Sequence, residues 1–279
     1  MRTDSPLWLN ESHPNYTRWR RARELSIERG KLVQSIVRQI FKTEGIKILD
    51  LGSGEGGTSK VFSQNNFVVS FDLSLDRLQR QKDSPGFAFE MTEAKLVNGD
   101  AIQLPFLENS FDLIIIQDVI EHLNDTQFFY EEIKRILKQN GTIYLSTPNR
   151  LSLFNFISDP HFGLPIVSAL KRSRIKKYFL RYFRKQDYLR NDIAQLLSLK
   201  EIKSLFDNDF KIKLNSKYVL AELLKGNKGI IWSNFHLKLI SFVKSIKLDY
   251  LLKNVINDKV GIVNQYFTPT FYFLLTRKI

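Results

Sequence analysis

The stretch Ile48-Leu-Asp-Leu-Gly-Ser-Gly-Glu-Gly-Gly57 decides the fold of this 279-residue chain. An apolar run ends on an acid, Asp50, and then passes through closely spaced glycines. A strand that stops at an acid and opens a Gly-rich turn before a helix predicts a nucleotide-type cofactor site. Glycine lets the backbone approach a ligand, and a helix N-terminus presents free N–H groups. Two readings compete here. Gly52, Gly54 and Gly57 satisfy G-x-G-x-x-G, in which the glycines make room for a pyrophosphate. Asp50 opposes that reading. A carboxylate at the end of the first strand repels a pyrophosphate and suits a ligand carrying positive charge.

The segments that follow extend the pattern. Phe67-Val-Val-Ser-Phe-Asp72 reads as a second strand ending in an acid, about 20 residues after the first glycine. An acid at that distance can hydrogen-bond both hydroxyls of a ribose, whichever nucleotide is bound. Leu96-Val-Asn-Gly-Asp100-Ala101 reads as a third strand. Phe111-Asp-Leu-Ile-Ile-Ile-Gln117 reads as a fourth, followed by Asp118-Val-Ile-Glu-His122-Leu. Gly141-Thr-Ile-Tyr-Leu-Ser-Thr-Pro-Asn149 reads as a fifth.

In order and spacing this series resembles the class I S-adenosylmethionine (SAM)-dependent methyltransferases, of the small-molecule, ubiquinone-biosynthesis-like type. Asp50, Gly52, Gly54 and Gly56 match the family's acid-x-Gly-x-Gly-x-Gly position by position. The resemblance covers residues ~45–150 closely and ~150–210 loosely. It implies SAM as cofactor, whose sulfonium and ammonium suit Asp50. The implied cofactor set is Asp50, Gly52, Ser53, Gly54 and Gly56 in the first motif, with Asp50 acting indirectly near the methionine amine. Asp72 would hold the ribose and Leu73 would pack on the adenine. Asp100 would accept from the adenine amino group, the N–H of Ala101 would reach the ring, and Gln117 would act through its backbone carbonyl.

The expected fold is therefore α/β. It is a Rossmann-like, doubly wound, mostly parallel seven-stranded sheet with the last strand antiparallel, plus helical insertions. Residues 1–45 form a lead-in region, with an amphipathic helix over ~24–43 carrying Leu25, Leu32, Ile36, Ile40 and Phe41 on one face. Residues 46–150 form the cofactor core, with a covering helix over ~126–139 started by Asp125 or Thr126 and stopped before Asn140-Gly141. Residues 151–197 are a basic substrate or lid insertion. Residues 198–279 complete the fold. They start with a capping box at Ser198-Leu-Lys-Glu201, place strands at Phe210–Val219 and Phe267–Thr276, and carry a helical insertion at about 220–264.

Composition agrees with a globular enzyme, at 43% hydrophobic residues and no cysteine. Disulfides and thiolate metal sites are thereby excluded. Met1-Arg-Thr-Asp-Ser-Pro lacks the apolar core of a signal peptide, and no run approaches the ~20 apolar residues that span a bilayer. A cytoplasmic location is expected, with peripheral contact at the inner membrane face as an extension of it. The net charge of +13 is uneven. Residues 1–150 carry 19 Lys+Arg against 20 Asp+Glu, and residues 151–279 carry 23 against 9. The second half calls for an anionic partner. Two of its segments read as basic amphipathic helices. In Lys171–Arg190, Ile175, Phe179, Tyr182 and Gln186 share a face. In Ile231–Lys253, Phe235, Leu239, Phe242, Val243 and Ile246 share a face, with Lys238, Lys244 and Lys247 elsewhere. Their plain reading is a lid and a covering helix, apolar side down. The alternative is contact with an anionic membrane or a lipid-linked acceptor. Nucleic acid is disfavoured, because Gln117-Asp118-Val119 replaces the Asn/Asp-Pro-Pro-Tyr/Phe sequence of amino-methylating DNA enzymes.

The implied chemistry is displacement on a sulfonium methyl, with the acceptor held about 3 Å away and in line. A hydroxyl acceptor needs a nearby base. Two histidines are candidates. His161 lies in the rigid turn Asp159-Pro-His-Phe-Gly-Leu-Pro165, and His122 follows strand four. His13 and His236 read as surface or packing residues, and Asp112 and Glu121 as solvent or loop acids. No metal is expected. Catechol-type enzymes place an Asp after strand four and an Asp-Asn pair after strand five. Here Asp118 and Asn149 are present, but Thr147-Pro148 replace the middle acid. The expected activity is methyl transfer, by class prior O-methylation, to a small-molecule or lipid- or glycan-linked acceptor. The alternative is a non-catalytic scaffold or regulator that docks on a membrane or partner through its basic half.

Overall fold

The run Leu113-Ile-Ile-Ile116 has no polar alternation, so as a strand it must be buried on both faces. In the computed structural model it is. Leu113 and Ile115 pack with Ile48, Phe62 and Val68 on one side, and Ile114 and Ile116 pack with Leu49, Phe129 and Ile133 on the other. The structure describes residues 9–84, 94–190, 192–230 and 234–278.

The strands are β1 (Lys47–Leu51), β2 (Phe67–Asp72), β3 (Ala94–Asn98), β4 (Phe111–Gln117), β5 (Leu137–Pro148), β6 (Phe210–Leu214) and β7 (Thr270–Arg277). They form one seven-stranded sheet in the order β3-β2-β1-β4-β5-β7-β6. The first five are parallel, and β7 runs antiparallel between β5 and β6. The doubly wound sheet with an antiparallel last strand is thus as expected.

One face is covered by the helices Ser26–Val37 and Gly57–Ser63, whose Leu32, Val33, Ile36 and Phe62 are buried. These two helices touch closely at glycines. A Cβ on Gly57 would lie 2.3 Å from the carbonyl carbon of Ser26, and one on Gly30 would lie 2.8 Å from Cα of Thr58. The other face is covered by Thr126–Ile136 and Leu199–Phe206. Asp125 caps the first of these by accepting from the N–H groups of Gln127 and Phe128. Ser198 and Glu201 form the expected capping box on the second.

Several boundaries differ from the sequence reading. The lead-in region is two helices, Tyr16–Glu24 and Ser26–Val37, so Ile40 lies beyond the helix end and is exposed. The helix at 126 ends at Ile136, because Leu137 pairs with Phe111 at the start of β5. β6 ends at Leu214, and Val219 belongs to the helix Ser216–Lys225. The 171–190 segment is not one α-helix. It passes through a π-helical stretch, Ile175–Leu180, which shifts the period away from 3.6 residues. Ile175 and Leu180 are buried, while Tyr182 and Gln186 are exposed. The second basic segment breaks at Lys247 into Asn234–Ser245 and Leu248–Val255, and Phe242 and Ile246 are exposed rather than packed down. Ile231 and the side chains of Phe235, His236 and Leu239 lie outside the described residues.

Candidate active site

β1 lies between β2 and β4, so the connections leave its two sides in opposite directions. The crevice beyond the carboxyl ends of strands at such a reversal is where open α/β sheets bind ligands. The glycine turn after β1 opens there. Gly52, Gly54 and Gly56 have φ of +74°, +56° and +78°, a left-handed region that disfavours any side chain. A Cβ on Gly52 would also meet Val119 at 2.2 Å. The N–H groups of Gly52 and Ser53 donate to the Phe71 carbonyl at 2.7 and 3.0 Å.

Asp72 braces this turn. Its carboxylate accepts from the N–H of Gly54 at 2.9 Å and of Ser74 at 2.8 Å. An ionised carboxylate has about four acceptor positions, so capacity is left for a ligand. Asn98 donates to the carbonyls of Asp72 and Leu73, which ties the end of β2 to the end of β3. Leu73 is 71% exposed, an apolar side chain awaiting cover at the cleft rim. Asp100 is exposed, with one oxygen accepting from Ile102 N–H, and Ala101 is buried. Gln117 accepts from the Thr58 hydroxyl at 2.6 Å.

Asp50 is buried and accepts from the Ser59 hydroxyl at 2.5 Å. Ser59 accepts from Ser70, and Ser70 from the Gln81 amide. The acid thus anchors a polar chain through β1, β2 and two helices. Burial pushes its carboxyl up to about 6, against the hydrogen bonds from Ser59. The left-handed glycines, the half-used Asp72 and the uncovered Leu73 fit a nucleoside cofactor with a charged tail.

The loop after β4 builds the other half of the site. Asp118 has φ of +53° and pairs with Arg29 at 2.6 Å. Ile120–His122 forms one 3-10 turn. Glu121 is buried, with one oxygen accepting from the Thr147 hydroxyl at 2.9 Å. The other oxygen has no hydrogen-bond partner among the described residues and lies 3.8 Å from His161 Nε2. Burial, then the charge of Asp118, pushes the Glu121 carboxyl well above its usual range. The rings of His122 and His161 meet edge to face at 5.1 Å. Burial lowers the pKa of both, that of His161 further because His122 and Arg190 add positive potential.

The His161 turn is held by its own Asp159 and by the N-terminal region. Asp159 accepts from the N–H groups of His161 and Phe162, closing the turn. The Asn15 amide donates to the His161 carbonyl at 2.6 Å, and Arg18 to those of Asp159 and Pro160. The structure therefore brings together the two histidines chosen from sequence, which lie 39 positions apart.

One acid stands differently from its sequence reading. Glu121 is not a solvent acid, because the short turn and β5 enclose it. His13 takes the packing alternative of its sequence reading, buried against Asp187 and Trp19. Arg29 has no signal in the sequence. Glu121 and Arg29 carry no local pattern, and only the adjacency of Glu121 to His122 hinted at the first. The catechol-type metal arrangement is not assembled. Asp118 is paired with Arg29, and the Asn149 amide donates to the carbonyls of Asn264, Gln265 and Thr268.

Residues 49–145 match the family model described as a methyltransferase domain. A sterol 24-C-methyltransferase of Aspergillus fumigatus is 32% identical over 111 residues, 38% of this chain and 29% of that one. A demethylmenaquinone methyltransferase of Staphylococcus aureus is 30% identical over 124 residues, 43% of this chain and 50% of that one. The chain thus spans half or less of the length of these two relatives. Among solved structures, phosphoethanolamine N-methyltransferase 2 of Haemonchus contortus in complex with SAM shares the fold with a TM-score of 0.55. It is 16% identical, and the match covers 97% of this chain and 58% of that one.

Proposed function

From a core, residues 49–145, that is a class I SAM-dependent methyltransferase domain, we propose that this protein methylates an oxygen of a small-molecule or lipid- or glycan-linked acceptor. One observation carries the reading. The loop after β4 that carries Glu121 and His122 packs Val119 against Gly52 of the glycine turn, and His161 from the turn at 159–165 joins the two. A hydroxyl acceptor must lose a proton, and this cluster gathers proton-accepting groups beside the transfer site.

When bound, SAM supplies an electrophilic methyl on its sulfonium. The chain's own residues do the rest. Asp72 receives the ribose hydroxyls with its remaining acceptor capacity. Leu73 covers the adenine, while Asp100 and the N–H of Ala101 read its edge. The turn Gly52–Gly56, with Ser53, lets the backbone approach, and Asp50 keeps it in place through Ser59. The Gln117 carbonyl accepts from the ammonium. His161 and His122 contact the acceptor and manage its proton, and the 151–197 insertion shields them from water. Fixing His161 through Asn15 and Arg18 serves orientation, since in-line transfer tolerates little misplacement.

A second surface favours an anionic lipid or lipid-linked acceptor. Leu153, Phe154, Phe156 and Ile157 are exposed on one helix, and the neighbouring Ile262–Phe267 helix exposes Ile262 and Phe267. Phe242 and Ile246 are exposed among Lys238, Lys244 and Lys247. Exposed apolar groups among lysines suit a membrane interface. No helix among the described residues is long and apolar enough to cross a membrane.

Calorimetric titration with S-adenosylhomocysteine tests the cofactor half. Asp72→Ala should weaken binding by roughly tenfold or more, through lost hydrogen bonds to the ribose. Unchanged affinity would sink the assignment. Transfer of labelled methyl from SAM to a panel of phenols, sugars and lipid-linked glycans tests the acceptor half. Transfer confined to amines or carbon acids would overturn the oxygen reading.

A further inference from the structure

We propose that Glu121, His122 and His161 form a binding site for one divalent transition-metal ion. One ligand atom from each residue lies within 4.8 Å of the other two. Two imidazoles and one carboxylate are the donor set that zinc and iron(II) sites use, with positions left for an exogenous oxygen. Ligands about 2.1 Å from a tetrahedral ion stand about 3.4 Å apart. His161 Nε2 and Glu121 Oε1 stand 3.8 Å apart, so small side-chain rotations suffice.

One donor is visibly free to ligate. Glu121 Oε1 is a buried polar atom with no hydrogen-bond partner among the described residues, and no hydrogen bond among them ties the other ring nitrogen of His161, Nδ1. A polar atom in that state costs stability unless something pairs with it. The surroundings match what ligating groups need. His122 Nδ1 lies 3.0 Å from the Asp192 carbonyl, which fixes the proton there and leaves Nε2 as a donor of its lone pair. The second oxygen of Glu121 accepts from the Thr147 hydroxyl. Ligating histidines and carboxylates are held in this way by outer hydrogen bonds, which set tautomer and orientation. The turn that carries His161 is fixed independently by Asp159, Asn15 and Arg18.

The ion would bind the acceptor's oxygen directly and favour its ionised form, the proton leaving to a hydroxide displaced from the ion or to solvent, because the ligating histidine nitrogens then have no lone pair to accept it. That restricts the acceptor to a hydroxyl or an enol. The ion site stands on its own geometry, whereas this choice of acceptor rests on the methyl-transfer reading above.

The full chain, stripped with a chelator and dialysed, is titrated with Co2+ and followed by visible absorption and calorimetry. One equivalent should bind and give d–d bands of a nitrogen- and oxygen-ligated ion. Glu121→Gln and His161→Asn should each weaken Co2+ binding by about 100-fold or more. Thr147→Val, which removes only an outer partner, should weaken it by about tenfold. S-adenosylhomocysteine is titrated into the same samples. Retained binding shows that a variant is folded, and if one ligand variant fails to fold the other decides. Absence of Co2+ binding to the wild-type protein would overturn the proposal. So would wild-type Co2+ affinity in a folded Glu121→Gln or His161→Asn protein. Metal binding without any methyl transfer would leave the ion site standing and count against the transfer reading alone.

Discussion

His13 links the N-terminal helices to the insertion through one neutral ring. Its Nδ1 accepts from the Asn15 N–H at 3.0 Å, so its Nε2 carries the proton and lies 3.1 Å from Asp187. The ring stacks on Trp19 at 4.4 Å. Protonation would place a second N–H against that of Asn15. Burial lowers the His13 pKa below 6.5, Asp187 opposes the shift, and Arg190 and Arg184 reinforce it. The unfolded chain therefore takes up a proton that the folded chain resists. The stability from this contact is fully present above pH 6.5 and is lost as pH falls from there through the lower pKa of the folded chain. The thermal midpoint of the wild-type protein should drop more steeply from neutral to acid pH than that of His13→Gln. Parallel profiles would show that the ring is not the titrating clasp. Because Asn15 also holds His161, acid should loosen the acceptor side of the site before the sheet.

Elements form here where local chemistry and packing agree. The helix Leu199–Phe206 has both, with a reciprocal cap at Ser198 and Glu201 and a buried face of Leu199, Ile202 and Phe206. Ser198→Ala should lower stability by about 1 kcal/mol, read as a shift in the denaturant midpoint. No change would mean that packing alone holds this helix. The 171–190 segment lacks such agreement. Its aromatic and basic residues fit a 3.6-residue period on paper, but burying Ile175 and Leu180 five positions apart requires the wider turn of a π-helix. Sequence periodicity assigns the wrong face in that circumstance, because tertiary packing overrides the local repeat. Likewise Gly30 looks unremarkable in sequence, and only the crossing of its helix with the one that Gly57 opens explains why no side chain fits there.

The whole molecule divides its labour by charge. The first 150 residues are near neutral and carry the cofactor crevice, while the rest holds 23 basic against 9 acidic residues. The exposed apolar residues of 153–157 and 242–267 lie in that basic half. Vesicles containing anionic phospholipid should therefore bind the protein at low salt and release it as the Debye length shrinks at high salt. Phe242→Glu together with Ile246→Glu should reduce vesicle binding and leave S-adenosylhomocysteine binding intact. Failure of the wild-type protein to bind at low salt would dismiss lipid contact.

The central strands β1, β2 and β4 were readable from residues close in the chain, because they are largely apolar runs that end on or next to an acid and lead into a turn. Asp50, Gly52, Gly54, Gly56 and Asp72 were legible for the same reason, since a turn and its flanking strand ends are local. His122 and His161 were legible as candidates but not as a pair. Tertiary structure alone decided that they meet, that Glu121 is buried between β5 and the β4 loop, and that Arg29 reaches Asp118. Those contacts join residues 26 to 89 positions apart, and no periodicity encodes a distance set by packing of separate elements.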